Sequence, residues 1–344
     1  RNGDGPGQMM QFARFAFVRA VMAVITLIIV SLIVFSLMEL VPGTCAERYL
    51  AFKNTQGSGI SVEDIAAEER RLGLDRPFII RWGSWVGNVF VKGEFGDSCI
   101  LRVNINQLLG DKFLISLGIC FTALVVAYLI AVPIGIISAA SRSPWLNGSL
   151  RFVSYLGLAM PNFLLALIIM LASTVFFGDS MTGLFSKEYR DADWSVDRVL
   201  DFLSHAWLAV FILGWSATAF ALQTVRALML DEQSKLYVTA ASARGLYGGR
   251  LLWRYPAKHA LGPIVNSLGF DLNRIFNELP IVAVIMTLTE AGALLLESLA
   301  RSNDQQLAGA IIFLLTASIV TLNFLTDMLL ALLDPRVRHS VVGR

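Results

Sequence analysis

The chain has 344 residues, of which 56% are hydrophobic and 16% are charged, and its mean hydropathy is +0.64. These values exclude an ordinary soluble domain, in which about a quarter of the residues are charged. The formal net charge of +2 does not indicate a nucleic-acid partner, so the basic residues matter by where they lie.

Apolar runs long enough to cross a bilayer as helices predict an all-α polytopic membrane protein with about six spans. Residues 1–8, RNGDGPGQ, are interpreted as leader or vector-derived residues outside the fold. The first predicted span occupies residues 9–41, and its apolar run begins near Phe17. This run is too long for a signal peptide, and no small-residue cleavage site follows it, so a retained helix is favoured.

Residues 42–112 have balanced charge and no spanning run, which predicts a small extracytoplasmic domain between the first and second spans. Residues 63–71 favour a short helix, because acidic residues come early and basic residues late. Cys45 and Cys99 both lie in this domain, where a disulfide would persist. Two outcomes stay open: a Cys45–Cys99 bridge that closes the domain, or two buried free thiols.

Residues 113–338 are predicted to form a core with about five further spans. These spans are expected near 114–140, 152–177, 206–230, 263–288 and 307–333, and residues 339–344 form a C-terminal tail. Of the connecting segments, 141–151 and 231–263 are basic, as are both termini, whereas 178–205 and 290–305 are acidic. The positive-inside rule then places both termini and the 231–263 loop in the cytoplasm.

The 231–263 loop has the pattern of two short helices joined at a glycine. Residues 237–243 favour a helix, and Gly245 suits the left-handed residue that often follows a helix end. Leu251 to Trp253 indicate a second helix ending near Pro256. Such an elbow could dock in a groove of another protein, although a solvated connection between two spans fits the same pattern.

The span at 263–288 is unusual because it carries charges. Asp271, Arg274 and Glu278 are spaced i, i+3 and i+7, so they share one helix face, and charges at membrane depth rarely face lipid. One hypothesis is that this face, together with Asn273 and Asn277, lines a translocation path. The other is that the three charged residues pair internally and fix helix packing.

The elbow resembles the cytoplasmic coupling loop of binding-protein-dependent ABC importer permeases of the dipeptide/oligopeptide branch. The resemblance rests on the string Tyr237-Val238-x-x-Ala241-x-Ala243-Arg244-Gly245-Leu246, with Thr239 where many of these permeases have Glu. Three further segments resemble landmarks of the family, in order along the chain: Leu72 to Pro77, Gly93 to Ser98, and Asp334 to Arg338. The family usually has an uncharged stretch where this chain has Asp271, Arg274 and Glu278.

This resemblance implies a permease subunit in the inner membrane of a bacterium. Its expected partners are a second homologous permease, two ATPase subunits that bind ATP and Mg, an extracytoplasmic solute-binding protein, and membrane lipid. The residues implied to couple it to the ATPase are Tyr237, Ala240, Ala241, Ala243, Arg244, Gly245 and Leu246. Peptides are the cargo implied by the branch, and nickel or another non-peptide solute is the alternative.

The sequence itself favours a non-catalytic subunit without a cofactor or metal of its own. It contains no phosphate-binding loop of the form GxxxxGK[ST], no HExxH zinc helix and no GxSxG nucleophile elbow. A secondary transporter is less favoured, because such proteins often contain internal repeats and none is evident here.

Overall fold

A computed structural model of the chain describes residues 6–40, 42–54, 61–178, 182–189, 192–288, 291–300, 302 and 304–333. These residues form fourteen α-helices: α1 Pro6–Leu40, α2 Cys45–Asn54, α3 Val62–Leu72, α4 Phe78–Gly87, α5 Ile105–Leu109, α6 Lys112–Ala140, α7 Pro144–Ala159, α8 Asn162–Phe177, α9 Val196–Gln233, α10 Leu236–Ala243, α11 Gly249–Arg254, α12 Pro256–Ile285, α13 Ala291–Ala300 and α14 Gln305–Leu333. A π-helical turn, Asn88–Lys92, continues α4. In this part of the chain the only β-type pairing is an isolated bridge between Asp97 and Asn104, so the predicted all-helical fold is confirmed there.

Among the described residues, four helices are long and apolar enough to cross a membrane: Met10–Leu40, Lys112–Ala140, Val196–Gln233 and Gln305–Leu332. A fifth span results if α7 and α8 are taken together as one bent span. By length and composition, four or five helices of the described residues are therefore candidates for the roughly six predicted spans. The 30-residue helix α12 falls outside this set, and Asp271, Arg274 and Glu278 interrupt its apolar sequence.

The predicted span at 152–177, which contains Pro161, is not one continuous helix. The chain forms two helices, α7 and α8, whose axes differ by 99°. Pro161 causes the break, because proline has no N–H and disfavours helical geometry in the residue before it. Met160 accordingly has extended angles, φ −96° and ψ 115°. The predicted 141–151 loop is also shorter than expected, since α7 already begins at Pro144.

Three other predicted loops are partly helical. Within the predicted 178–205 loop, α9 begins at Val196. The Ser195 side chain caps this helix, because it accepts a 3.2 Å hydrogen bond from the Arg198 N–H. The 290–305 segment contains α13. Helix α12 begins at Pro256, ahead of the expected start at 263, since proline suits the first turn of a helix.

The predicted C-terminal segments, 334–338 and 339–344, lie outside the described residues, as do residues 1–5 of the predicted leader.

The described residues fall into two compact units, one within 1–20, 117–288 and 322–344 and the other within 21–116 and 289–321. In the first unit α9 packs against α7, α8 and α12. Small residues permit this close packing: a Cβ on Gly157 would lie 2.7 Å from the Ala219 Cβ. At the elbow end of α9, Val225 and Met229 are buried against Ala257 and Ala260 of α12. The elbow therefore joins two helices that are already packed together.

The second unit contains the predicted domain at 42–112. The expected helix at 63–71 is present as α3, and a reciprocal capping box between Ser61 and Asp64 fixes its first turn. These hydrogen bonds lower the pKa of the exposed Asp64 carboxyl below its ordinary value. Gly73 ends the helix in the left-handed region, with φ +66°, where a residue other than glycine would be strained.

Candidate functional site

The elbow between α9 and α12 consists of α10, α11 and the turn that joins them. The end of α10 has the two hydrogen bonds of a Schellman motif: Gly245 N–H donates to the Ser242 carbonyl at 2.9 Å, and Leu246 N–H donates to the Ala241 carbonyl at 3.3 Å. Gly245 has φ +87°, the left-handed conformation expected from the sequence. The predicted helix–glycine–helix geometry is thus confirmed.

Tyr237 holds the elbow to both helices that it joins. Its hydroxyl donates a hydrogen bond to the Glu232 carboxylate on α9, and its ring centroid lies 5.0 Å from that of His259 on α12. Burial and, secondarily, this hydrogen bond raise the pKa of Tyr237 above its ordinary value. The hydroxyl therefore remains a donor at neutral pH.

Charge pairs secure the start of the elbow. The Lys235 ammonium lies 3.1 Å from Asp231 and 3.3 Å from Glu232. Hydrogen bonding to Asp231, then to Glu232, raises the pKa of Lys235, so the three residues form a charged turn between α9 and α10. These exposed pairs help to define local geometry more than global stability.

The residues implied to couple the chain to an ATPase divide into a buried and an exposed group. Ala241 is fully buried, and Tyr237 and Leu246 are half-buried. These three residues therefore pack against other residues of this chain. The exposed group consists of Ala240, Ala243, Arg244 and Gly245. Only this second group is available to a partner in the described structure.

The two most exposed large side chains on the elbow were not among the predicted site residues. Leu236 is 86% exposed and Tyr247 is 81% exposed. Together with Ala240 and Ala243 they place exposed apolar groups on the elbow, beside the exposed Arg244. The sequence signal that could have identified them is a large apolar residue in an otherwise polar loop, since such residues at a surface are typical of interfaces.

On α12 the predicted charged face separates into two clusters. The first contains Asp271, which is fully buried and whose Oδ2 accepts a 2.5 Å hydrogen bond from the Tyr128 hydroxyl of α6. The Ser267 hydroxyl lies 2.7 Å from the same Tyr128 oxygen. Asp271 Oδ1 has no hydrogen-bond partner among the residues that the structure describes. Asp271 thus links α12 to α6.

The second cluster lies farther along α12. Arg274 Nε is 3.7 Å from the Glu278 carboxylate, and these side chains are 30% and 29% exposed. Asn277 donates a 3.3 Å hydrogen bond to the Asn273 side chain. The hypothesis of a single internal Asp271–Arg274–Glu278 cluster is therefore only partly met, because Arg274 pairs with Glu278 whereas Asp271 bonds to Tyr128.

In the second unit Cys45 and Cys99 form a disulfide with a Cα–Cα distance of 5.4 Å. The buried Asp304 organises the adjoining loop: it accepts hydrogen bonds from the Ser98 hydroxyl and from the N–H groups of Cys99 and Ile100. Asp304 also accepts from the Leu307 N–H in the first turn of α14, at 3.0 Å. Within the described residues, no group of three or more His, Cys, Asp or Glu is placed to hold a metal ion.

Comparisons with known proteins agree with this architecture. The family described as "Binding-protein-dependent transport system inner membrane component" matches residues 131–339, and its N-terminal companion family matches residues 11–103. The oligopeptide transport system permease protein AppB of Bacillus subtilis is 25% identical over 95% of this chain and 100% of its own length. The nickel import system permease protein NikB of Staphylococcus aureus is 26% identical over 93% of this chain and 90% of its own.

One solved structure extends the comparison to three dimensions. A chain of the MetNI methionine ABC transporter, in an inward-facing conformation, superposes with a TM-score of 0.53 at 15% sequence identity. The similarity covers 66% of this chain and 97% of that chain. At this level of identity the similarity shows a shared fold.

Proposed function

The chain belongs to the family of binding-protein-dependent transport system inner membrane components, and from this premise we propose that it is the permease subunit of an ATP-driven peptide importer. It would form the translocation path with a second homologous permease. Two ATPase subunits would bind ATP and Mg, and a solute-binding protein would deliver the cargo. The chain itself supplies helices that move, not a catalytic centre.

The elbow is the observation that carries this proposal. Its outer surface presents Leu236, Tyr247 and Arg244 to a partner, whereas Tyr237 ties it to both α9 and α12. A force applied to the outer surface would therefore reach both helices. Because α9 also packs against α7 and α8, the displacement would spread through the unit.

Transport by this arrangement requires two states of the helix core. In one the path is open to the cytoplasm, and in the other it is open to the outside. Association of the two ATPase subunits on ATP binding would favour one state by moving the elbow, and hydrolysis would restore the other. The helices need only a modest difference in free energy between the two states for a partner to shift their populations.

The charge distribution supports a topology with both termini and the elbow in the cytoplasm. The disulfide-containing residues 42–112 would then face the extracytoplasmic side, where a disulfide persists. Those residues would also be where the solute-binding protein meets the chain. On this topology the elbow lies on the side where ATP is available.

Peptide cargo is favoured by the oligopeptide relative and by the charged face of α12. Arg274 and Glu278 present one positive and one negative group, both partly exposed, and a zwitterionic peptide carries the complementary pair. Nickel is the second candidate, because a nickel permease is similar to this chain over nearly the same length. Binding of a peptide panel and of Ni²⁺ to the cognate solute-binding protein separates the two.

Reconstitution tests the proposed function as a whole. The chain is co-expressed with its partners and placed in vesicles, and peptide uptake is measured with and without ATP. ATP-dependent uptake, together with recovery of an ATPase bound to the purified chain, is the expected result. Uptake driven by an ion gradient without ATP would instead identify a secondary transporter.

A further inference from the structure

The segment Phe78–Lys92 of the second unit is amphipathic and has a bare apolar side. It comprises α4 and the π-helical turn that follows, and α4 has no buried residue. Ile79, Ile80, Phe90 and Val91 are 63%, 52%, 46% and 84% exposed. Four large side chains exposed along one short segment are unusual for a domain surrounded by water.

The opposite side of this segment packs on α1 through aromatic residues. The ring of Phe35 lies 5.4 Å from that of Phe78 and 6.1 Å from that of Trp85. The Trp82 indole N–H donates a 3.3 Å hydrogen bond to the Ser31 hydroxyl. The segment is thus attached to a membrane-spanning helix along its side.

A second spanning helix contacts the same segment. Phe313 of α14 lies 5.4 Å from Trp85 and 6.0 Å from Phe90, measured between ring centroids. Both ends of the segment therefore contact spanning helices, at residues of α1 and α14 that belong to the second unit. These contacts fix its depth relative to α1 and to α14.

With α1 and α14 taken as spans, the positions of these contacts give the segment a depth below the membrane surface. In α1 the uncharged stretch between Arg19 and Glu39 is about 30 Å long, which equals the thickness of the hydrocarbon core. Phe35 and Ser31 lie about 6 Å and about 12 Å inside Glu39 along the helix. On α14, Phe313 lies about 10 Å beyond the polar residue Gln306. The contacts on α1 and those on α14 thus give a similar depth for the segment below the polar ends of the two helices.

The charges around the segment fit the same position. Arg81 forms a salt bridge with Glu39, at the polar end of the uncharged stretch of α1. Arg76 just before the segment and Lys92 at its end are exposed, and both are long enough to reach lipid phosphate groups. Trp82 and Trp85 are the residue type that concentrates at the membrane interface.

We propose that Phe78–Lys92 lies in the outer leaflet of the membrane, with Ile79, Ile80, Phe90 and Val91 in contact with lipid acyl chains. The assignment to the outer leaflet rests on the topology given under the proposed function. Lipid is the occupant because Ile28 and Leu32 of α1, which lie beside Ser31 and Phe35 on the helix surface and at the same depth, are 40% and 37% exposed, so exposed apolar surface on a spanning helix adjoins the segment. The second unit is therefore bound to the membrane along this segment.

Spin labels on the assembled importer test this placement. In a Cys120→Ser background the variants Ile79→Cys and Val91→Cys are labelled, and the complex is placed in nanodiscs of phosphatidylethanolamine and phosphatidylglycerol. Leu101→Cys is the matched control, because Leu101 is 56% exposed and adjoins Ile100, whose N–H donates to Asp304 at the polar end of α14. Collision with oxygen and with a water-soluble nickel chelate is then measured.

The expected result is high oxygen and low nickel-chelate accessibility at 79 and 91, with the reverse at 101. High nickel-chelate accessibility at 79 and 91 would place the segment in water and overturn the proposal. Low accessibility to both reagents would also overturn it, because another protein would then cover the surface. Neither measurement requires transport, so a failure here is distinct from a failure of the proposed function.

Two glycines on the exposed side provide an independent test against a covering helix. Apart from the backbone of the helix itself and the adjoining residues, no atom of the described residues lies within 4 Å of the position that a Cβ would take on Gly83 or Gly87. If lipid contacts this side, Gly83→Leu and Gly87→Leu leave the yield of the assembled complex unchanged. If a helix of the second permease packs there, the added side chains clash and the yield falls, which would contradict lipid contact.

Discussion

The carboxylate of Asp304 accepts a hydrogen bond from the hydroxyl of Ser98, although 206 positions separate the two residues. The same carboxylate accepts from the N–H groups of Cys99 and Ile100, and from that of Leu307 at the start of α14. One buried acidic side chain therefore joins the disulfide loop to a spanning helix.

Replacement of Asp304 by alanine should destabilise the second unit. The substitution leaves buried donors without an acceptor, and each lost bond to a charged group costs about 1.5–3 kcal/mol. We expect a clearly lower apparent melting temperature for Asp304→Ala, measured by tryptophan fluorescence in detergent. Ser98→Ala removes one donor and should cause a smaller decrease. Equal melting temperatures for Asp304→Ala and the wild type would show that this network does not stabilise the unit.

Loss of the disulfide should also weaken the second unit. The bridge joins residues 54 positions apart, and closing a loop of that length stabilises a protein by about 4 kcal/mol in the chain-entropy model. The double variant Cys45→Ser/Cys99→Ser should melt at a lower temperature, and reductant should have little further effect on it. Cys120→Ser is the control, because Cys120 lies outside the bridge, and it should respond to reductant like the wild type. Mass mapping without reductant that finds both thiols free would disprove the bridge.

The features that the sequence predicted best are local. Tyr237 to Gly245 contains its own helix formers and its own terminating glycine, so no distant contact is needed to fix the elbow. The same holds for α3, whose Ser61–Asp64 capping box and Gly73 are all within the segment. These elements could be identified without knowledge of their neighbours.

The features that the sequence did not predict depend on distant residues. Asp271 bonds to Tyr128, 143 positions away, and no pattern within α12 indicates that partner. The sharp break at Pro161 was also missed, because a proline inside an apolar run can bend a span or interrupt it. Asn162 at the break donates a 3.1 Å hydrogen bond to the Leu213 carbonyl of α9, so neighbouring structure stabilises the interrupted form.

Tyr237→Phe should reduce the stability of the elbow by a similar free energy at every pH from about 6 to about 9. Since the pKa of Tyr237 is raised in the folded chain, the stabilisation is complete below the unfolded value, about 10, and is lost only as pH rises through the folded value. Hydrogen exchange of the α10 amides should therefore be faster in the variant than in the wild type. The difference in exchange protection between the two proteins should not change across this pH range. A difference that vanished between pH 6 and pH 9 would contradict the assignment.

Tyr247→Ala should uncouple the chain from its ATPase without destabilising the fold. Its side chain is 81% exposed, so truncation removes surface and leaves packing intact. An aromatic anchor at an interface often contributes at least 1.4 kcal/mol, so ATPase association should weaken about tenfold or more. The measurement is co-purification of the ATPase at a series of salt concentrations. Leu101→Ala, on the second unit, is the control and should bind the ATPase normally; unchanged binding by Tyr247→Ala would exclude this residue from the interface.

Removing the charge of Arg274 tests whether the charged pair on α12 contacts cargo. Arg274→Met should reduce peptide uptake about tenfold, a loss of about 1.4 kcal/mol in transition-state stabilisation, if the side chain contacts cargo. Assembly with the partners should stay normal, because Arg274 and Glu278 are both partly exposed. Uptake is measured in vesicles, and assembly is measured by gel filtration of the complex.

The double variant Arg274→Glu/Glu278→Arg restores an ion pair at the same two positions but inverts its direction along α12. If the residues act only on each other, this exchange recovers uptake to near the wild-type rate. If they contact a zwitterionic peptide in a fixed orientation, uptake stays low even though the pair is present, because each end of the peptide then meets a like charge. Recovery by the exchanged pair would therefore assign these charges to helix structure and remove them from the translocation path.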